Sequence, residues 1–218
     1  FGRWMYVPHT PVADFDASDI CLGDVAEFIN NSTLAGDDYI VTHWEFNDPS
    51  GSTEDFSDIK DGYYEYEAYG SGVNVEMTVV NGVYPKFVYT ASKTINVTPK
   101  PIVEFKVLNQ CFGTPVTVIN TTDLPTGITG TITYDWNFGG EYTSTAKTPS
   151  YSFSTPGQRK ISVVASANGC SAELTKNAYQ FEMPTASFTS EGDCNFVPVD
   201  FVNTSTIPNG AGMGYSWD

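Results

Sequence analysis

Basic residues and histidine are scarce in this chain: ten Lys and Arg stand against 26 Asp and Glu, with two His. The formal net charge of −16 repels nucleic-acid phosphates and anionic lipid headgroups, which argues against a nucleic-acid partner and against direct membrane insertion or adsorption. No run approaches the roughly 20 apolar residues of a membrane-spanning helix, and the N-terminus lacks the basic and apolar regions of a signal peptide. The chain opens Phe1-Gly2-Arg3 and stops at Tyr215-Ser216-Trp217-Asp218 in what reads as mid-strand. It is therefore expected to be a piece of something longer.

Two histidines leave little from which to build a hydrolytic triad. His9 falls in an apparent linker, and His43 alternates with Trp44 on a strand pattern, which turns it outward. Carboxylate pairs are plentiful, at Asp37-Asp38, Glu54-Asp55 and Asp58 to Asp61, but glycosidase chemistry needs one of them in an apolar cleft that raises its pKa. Phosphate loops, dinucleotide fingerprints and zinc-protease motifs are absent, as is any Cys-x-x-Cys pair for zinc. The chain is read as non-enzymatic.

Charged residues make up only 17% of the sequence, while Thr, Ser, Asn, Gly and aromatics are abundant. Strands with hydroxyl-bearing outer faces suit this mix better than helices, so the fold class is all-β. An internal repeat organises the whole length. Pro11-Val-Ala-Asp-Phe15 precedes Cys21 and Ala26-Glu-Phe-Ile-Asn30; Pro101-Ile-Val-Glu-Phe105 precedes Cys111 and Val116-Thr-Val-Ile-Asn120; Thr185-Ala-Ser-Phe188 precedes Cys194 and Val199-Asp-Phe-Val-Asn203. The steps from Cys21 to Cys111 to Cys194 are 90 and 83 residues, and those from Trp44 to Trp136 to Trp217 are 92 and 81. Two independent landmarks thus give one period.

Inside each repeat, short stretches alternate with period two between turn residues, the pattern of a β-sandwich. Tyr134, Trp136 and Phe138 share one face of a strand, as do Ile40, Thr42, Trp44 and Phe46, and that face is expected to be the core. Ile161, Val163 and Ala165, and likewise Val73, Val75, Met77 and Val79, precede Asn168-Gly169 and Asn81-Gly82. Asn-Gly favours a two-residue hairpin because both residues tolerate positive φ. The junctions Pro99-Lys100-Pro101 and Met183-Pro184 predict short, stiff connections, with neighbouring repeats stacked end to end.

The second repeat carries Trp136-Asn137-Phe138-Gly139-Gly140, then Pro149-Ser150-Tyr151-Ser152-Phe153, then Pro156-Gly157 and a strand through Val163-Val164. It resembles the PKD (polycystic kidney disease) domain family, whose hallmark is Trp-Asp-Phe-Gly-Asp-Gly followed by a Pro-Tyr-x-aromatic element and a Pro-Gly turn. The first repeat is more divergent, with Trp44-Glu45-Phe46-Asn47-Asp48 in place of the motif, and the third is interrupted at Trp217. The resemblance implies tandem Ig-like antiparallel β-sandwiches, divided as the end of a preceding repeat or linker (1–10), a divergent PKD-like domain (11–98), a PKD-like domain (99–183) and a truncated third (184–218). As a class it implies spacer or adhesion roles in secreted proteins. Tandem units without catalytic sequence between them look most like large surface adhesins, including the gliding adhesins of Bacteroidota, exported by a type IX system and associated with the outer membrane. The alternative is a set of accessory modules in a secreted polysaccharide- or protein-degrading enzyme. Partners are expected to be an extracellular surface, polysaccharide or protein, together with neighbouring repeats of the same chain.

Four cysteines permit three complete pairings. Repeat register selects Cys111 with Cys170, one near each end of the second repeat, closing about 60 residues for roughly 4 kcal/mol in the chain-entropy treatment. Cys194 is then expected to bond beyond the present sequence, and Cys21 to be a small buried hydrophobe or a free thiol; four reduced cysteines are the other reading. A disulfide fits an oxidising, extracellular compartment. Calcium is the one cofactor to test, with Asp48, Glu54, Asp55 and Asp58 as hard oxygen ligands in an acidic loop, against the simpler reading that the charge keeps the chain soluble. Tyr63, Tyr64, Tyr66 and Tyr69 are either a carbohydrate platform or strand-packing residues.

Overall fold

Alternating apolar and polar side chains bury one face of a strand and solvate the other, and here that pattern closes two sheets over each core. The structure is a computed structural model and describes residues 9–36, 39–83, 87–192, 198–208 and 212–218. All elements among them are strands. Two compact units result: Phe1–Lys100 with Pro125–Gly130 and Ala167–Cys170, and Pro101–Leu124 with Thr131–Ser166 and Ser171–Asp218.

The first unit contains β1 (Phe15–Asp16), β2 (Ile20–Cys21), β3 (Val25–Asn30), β4 (Ile40–Glu45), β5 (Phe56–Ser57), β6 (Gly62–Glu65), β7 (Gly70–Asn81) and β8 (Val88–Thr98). They form a three-stranded sheet, β1-β3-β6, and a five-stranded sheet, β2-β8-β7-β4-β5. The second repeat contributes β9 (Phe105–Leu108), β10 (Gln110–Cys111), β11 (Val116–Asn120), β12 (Thr133–Phe138), β13 (Tyr142–Ser144), β14 (Ser150–Tyr151), β15 (Gly157–Ala167) and β16 (Cys170–Phe181). Its sheets are β14-β11-β9 and β10-β16-β15-β12-β13. In both repeats the opening strand crosses from one sheet to the other, so that β2 and β10 run parallel to the ends of β8 and β16 while the other neighbours pair antiparallel. This strand order makes each an Ig-like sandwich. A third repeat contributes β17 (Phe188–Glu191) paired with β18 (Asp200–Asn203).

Each core is built around one aromatic pair. Phe15 of β1 meets Trp44 of β4 edge to face at 5.1 Å, and Phe105 of β9 meets Trp136 of β12 in the same way at 5.0 Å. All four are essentially fully buried. Around them pack Phe28, Phe46, Val75, Met77 and Val79 in one repeat, and Val116, Val118, Phe138, Ile161, Val163 and Ala165 in the other. In the third repeat Phe188 and Trp217 form the same pair at 5.4 Å, about half exposed. A lysine from the last strand covers each complete pair. Lys93 lies over the Phe15 ring and donates to the Phe15 carbonyl, with Asp14 at 3.3 Å; Lys176 lies over Phe105, donates to its carbonyl and pairs with Glu104.

Asn168 and Gly169 both take positive φ, 52° and 84°, and make the tight turn between β15 and β16. Asn81-Gly82 does not do the same: β7 continues through Asn81, which pairs with Ile40, and β8 opens only at Val88. The buried Asn81 side chain accepts from Val83 N instead. The turn after β4 is organised by Asp48, only 5% exposed. Its Oδ1 accepts from Ser50 N at 2.7 Å, and its Oδ2 accepts from Glu67 N at 2.7 Å and from the Tyr64 hydroxyl at 3.2 Å. Burial raises the pKa of this carboxyl, but the donors from Glu67, Ser50 and Tyr64 together outweigh it and hold it below the ordinary 3.8.

Two predictions follow from these contacts. The Trp44 Nε1 donates to the Ile59 carbonyl at 3.0 Å, whereas the buried Trp136 Nε1 has no partner among the described residues. Trp44→Phe is therefore expected to cost about 1 kcal/mol more than Trp136→Phe in chemical denaturation, and equal costs would contradict the assignment. Asp48→Asn is expected to lose about 1–3 kcal/mol at neutral pH. Because the folded pKa is depressed, the stabilisation from Asp48 is complete above the unfolded value and disappears as pH falls through the lower folded one. The gap between wild type and Asp48→Asn should begin to narrow below about pH 4 and close once pH has fallen past the depressed folded value; a gap that persists into stronger acid would mean the charge is not what stabilises the turn.

Candidate functional site

Among the described residues one covalent cross-link is present, joining Cys21 to Cys170 with Cα atoms 5.7 Å apart and a sequence separation of 149. Cys21 ends β2, beside Val97 and Thr98 of β8, and the chain leaves it through a turn in which Leu22 N donates to Thr98 O, Asp24 N donates to Cys21 O and Gly23 takes φ 81°. Asp24 also holds Lys100. Cys170 opens β16 directly after the Asn168-Gly169 turn and is buried. The bond thus connects the first sequence repeat to the second.

The expected Cys111 to Cys170 bond is corrected: Cys111 is an exposed free thiol. The reason is strand length. Cys111 pairs with Phe181, the last residue of β16, while Cys170 is the first. A strand rises about 3.3 Å per residue, which puts the two cysteines roughly 35 Å apart, against a Cα limit near 7 Å for a disulfide. The two positions flank one repeat in sequence but lie at opposite ends of its longest strand. Cys21, expected as a small hydrophobe or free thiol, is the true partner. The length of the final alternating run, read against the position of Cys170 at its start, was the signal that would have ruled out the shorter loop. Cys194 lies outside the described residues.

The calcium candidates do not converge. Both Asp48 oxygens already accept protein donors, Asp55 Oδ2 accepts from Asp48 N at 3.0 Å, and Asp58 contacts His43 at 2.5 Å. Glu54 is exposed. Among the described residues no group of three or more His, Cys, Asp and Glu is placed to hold a metal ion. His43 has Asp58 at one ring nitrogen and Glu45 at the other, 2.8 Å away, and the hydrogen bonds to Asp58 and then Glu45 raise its pKa. An imidazole engaged by carboxylates at both nitrogens has no free lone pair with which to act as a base.

The tyrosines divide between core and surface. Tyr66 is buried and donates to Phe46 O; Tyr64 stacks on Phe46 at 4.7 Å, its hydroxyl pushed up to about 12 by burial and by the charge of Asp48. Tyr63 and Tyr69 are exposed, and Tyr63 donates to Glu27. They do not make a continuous platform. Among the motif residues, Trp44, Trp136 and Phe138 are core, Trp217 is 52% exposed, and Gly139 takes φ 62°, where a Cβ would meet Arg159 at 3.2 Å. Asn47, at the corresponding place in the first repeat, takes φ 50°. Asn is among the few residues with a side chain that tolerate this region, which explains the substitution.

No protein-family model matches the chain, and no curated protein matches it. Among solved structures it is similar to the PKD1 domain of Vibrio anguillarum Epp, at 21% identity over 38% of this chain and 96% of that one, with a TM-score of 0.35. The PKD1 domain of the Vibrio cholerae metalloprotease PrtV is similar at 23% identity, covering 38% of this chain and 98% of that one, with a TM-score of 0.34. Three N-terminal domains of the bacteriophage RB49 outer capsid protein Hoc are similar at 14% identity, over 91% of this chain and 69% of that one, with a TM-score of 0.36. Strand order and core packing define the Ig-like sandwich in both complete repeats.

Proposed function

We propose that this chain is a non-enzymatic, tension-bearing segment of a large secreted surface adhesin or filament, in which repeated sandwiches act as spacer and multivalent array. The observation that carries this reading is the bond between Cys21 and Cys170. Force entering before residue 21 and leaving after residue 170 passes through the disulfide, so the backbone between them is not extended. In a chain that is pulled, such a shunt limits how far the backbone can extend. Multivalency supplies the rest, since many weak contacts along repeated modules sum to high avidity. The disulfide also fits export to an oxidising environment. Within this reading the resemblance to PKD repeats favours a Bacteroidota adhesin at the outer membrane, exported by a type IX route and engaged in gliding, with an extracellular polysaccharide or protein surface as partner.

Protease added to intact producing cells should remove the chain from their surface; survival until the cells are lysed would sink the proposal. When single molecules are stretched from their termini, reduction should add about 500 Å of contour, from a sequence separation of 149 at roughly 3.4 Å per residue step. Equal unfolded lengths with and without reductant would remove the load-bearing role.

A further inference from the structure

Cys111 stands in the same backbone frame as Cys21. Each cysteine ends a two-residue strand lying parallel to the end of the repeat's last strand, Cys21 beside Thr98 and Cys111 beside Phe181. The next residue donates its N–H to that neighbour's carbonyl in both cases, Leu22 to Thr98 O at 2.8 Å and Phe112 to Phe181 O at 2.7 Å. Two residues on, Gly23 and Gly113 take φ of 81° and 94°. The turn closes with Asp24 N donating to Cys21 O and Thr114 N donating to Cys111 O, at 3.0 and 3.1 Å.

One of these two equivalent sulfurs is bonded, and its partner is the cysteine that opens the last strand of the following repeat. Within a single sandwich the two positions are separated by the length of that strand, so a cysteine in this frame cannot bond to the one that opens the last strand of its own repeat. The repeat after Cys111 is already under way: the bridge Thr185↔Thr206 reproduces Ile102↔Asp123 and Val12↔Thr33, and the Phe188–Trp217 pair reproduces the aromatic pair of the other two.

We infer that Cys111 is a covalent attachment site for a cysteine at the start of the last strand of the repeat that opens at Thr185, forming a further link of the kind that Cys21–Cys170 makes. Formation consumes two thiols and yields one S–S bond, two protons and two electrons. The oxidant is the disulfide of a thiol oxidase of the export compartment. One cysteine thiolate attacks that disulfide to give a mixed disulfide, and the second displaces the enzyme's sulfur, leaving the enzyme as a dithiol. The exposure of Cys111 gives such an enzyme access. The inference concerns pairing alone and does not depend on adhesion.

The test is a disulfide map of the native polypeptide, taken from its producing cells without reductant, capped with N-ethylmaleimide and digested with trypsin. Cys21, Cys111 and Cys170 fall on separate peptides, 4–60, 107–147 and 161–176. Peptide 4–60 joined to 161–176 is the internal control for oxidation. The expected result is peptide 107–147 carrying no maleimide until reduction, joined to a peptide whose cysteine follows a β-turn and opens an alternating strand. Maleimide on Cys111 before reduction, a small thiol on it, or a bond to Cys194 would each overturn the inference. The map reads pairing whether or not the chain is found on the cell surface, so its failure is separate from failure of the adhesin reading.

Discussion

The edge-to-face contact between a phenylalanine of the opening strand and a tryptophan of the fourth is the interaction on which each sandwich depends. It joins the two sheets at their centre, because Phe15 and Phe105 belong to the three-stranded sheet and Trp44 and Trp136 to the five-stranded one. Ring edges carry partial positive charge and ring faces negative, so the pair adds directional attraction to the burial of two large apolar surfaces. Around it the alternating residues of β7 and β15, from the five-stranded sheets, and Phe28 and Val118, from the three-stranded ones, complete the two cores.

Lys93 and Lys176 show how the exposed side of that contact is finished. Each holds its ammonium over the phenylalanine ring and donates to the ring residue's own carbonyl, with an acidic neighbour completing the charge balance. In a chain with only ten basic residues, two occupy the same place in two repeats. The surplus of acid elsewhere is turned to loop geometry, as at Asp48, where a buried carboxylate substitutes for the backbone acceptors that a long turn lacks, or to ion pairing, as around His43.

The disulfide follows from a different constraint, the length of the last strand. Because β2 and β10 join the far ends of β8 and β16, a cysteine there faces away from the turn that opens the same strand. The bond from Cys21 therefore runs to the following repeat, and a long loop of chain lies inside it. The cross-link does not reinforce a weak core, since each sandwich already buries a full set of aromatics. Its effect is on the entropy of the unfolded chain.

Period-two alternation, the Cys and Trp spacings and the Asn168-Gly169 pair determined by themselves the all-β class, the repeat and the faces turned inward. These are local properties: a side chain two residues along a strand returns to the same face whatever the partner strand is. Asn47 in the place of Gly139 reads only as divergence from the motif, and the folded backbone is what shows both positions at positive φ. Tertiary structure decided what depends on contacts remote in sequence. The lysines over Phe15 and Phe105 lie 78 and 71 residues from the carbonyls they bind, and nothing in their neighbourhood marks them. The hairpin at Asn81-Gly82 yielded to a longer strand paired with Ile40, and the acidic cluster dispersed once Asp48 was drawn inward by Tyr64 and Glu67. The cysteine partner was decided by how far β16 extends. Repeat register places Cys111 and Cys170 in one module, but only the folded strand sets them at its two ends.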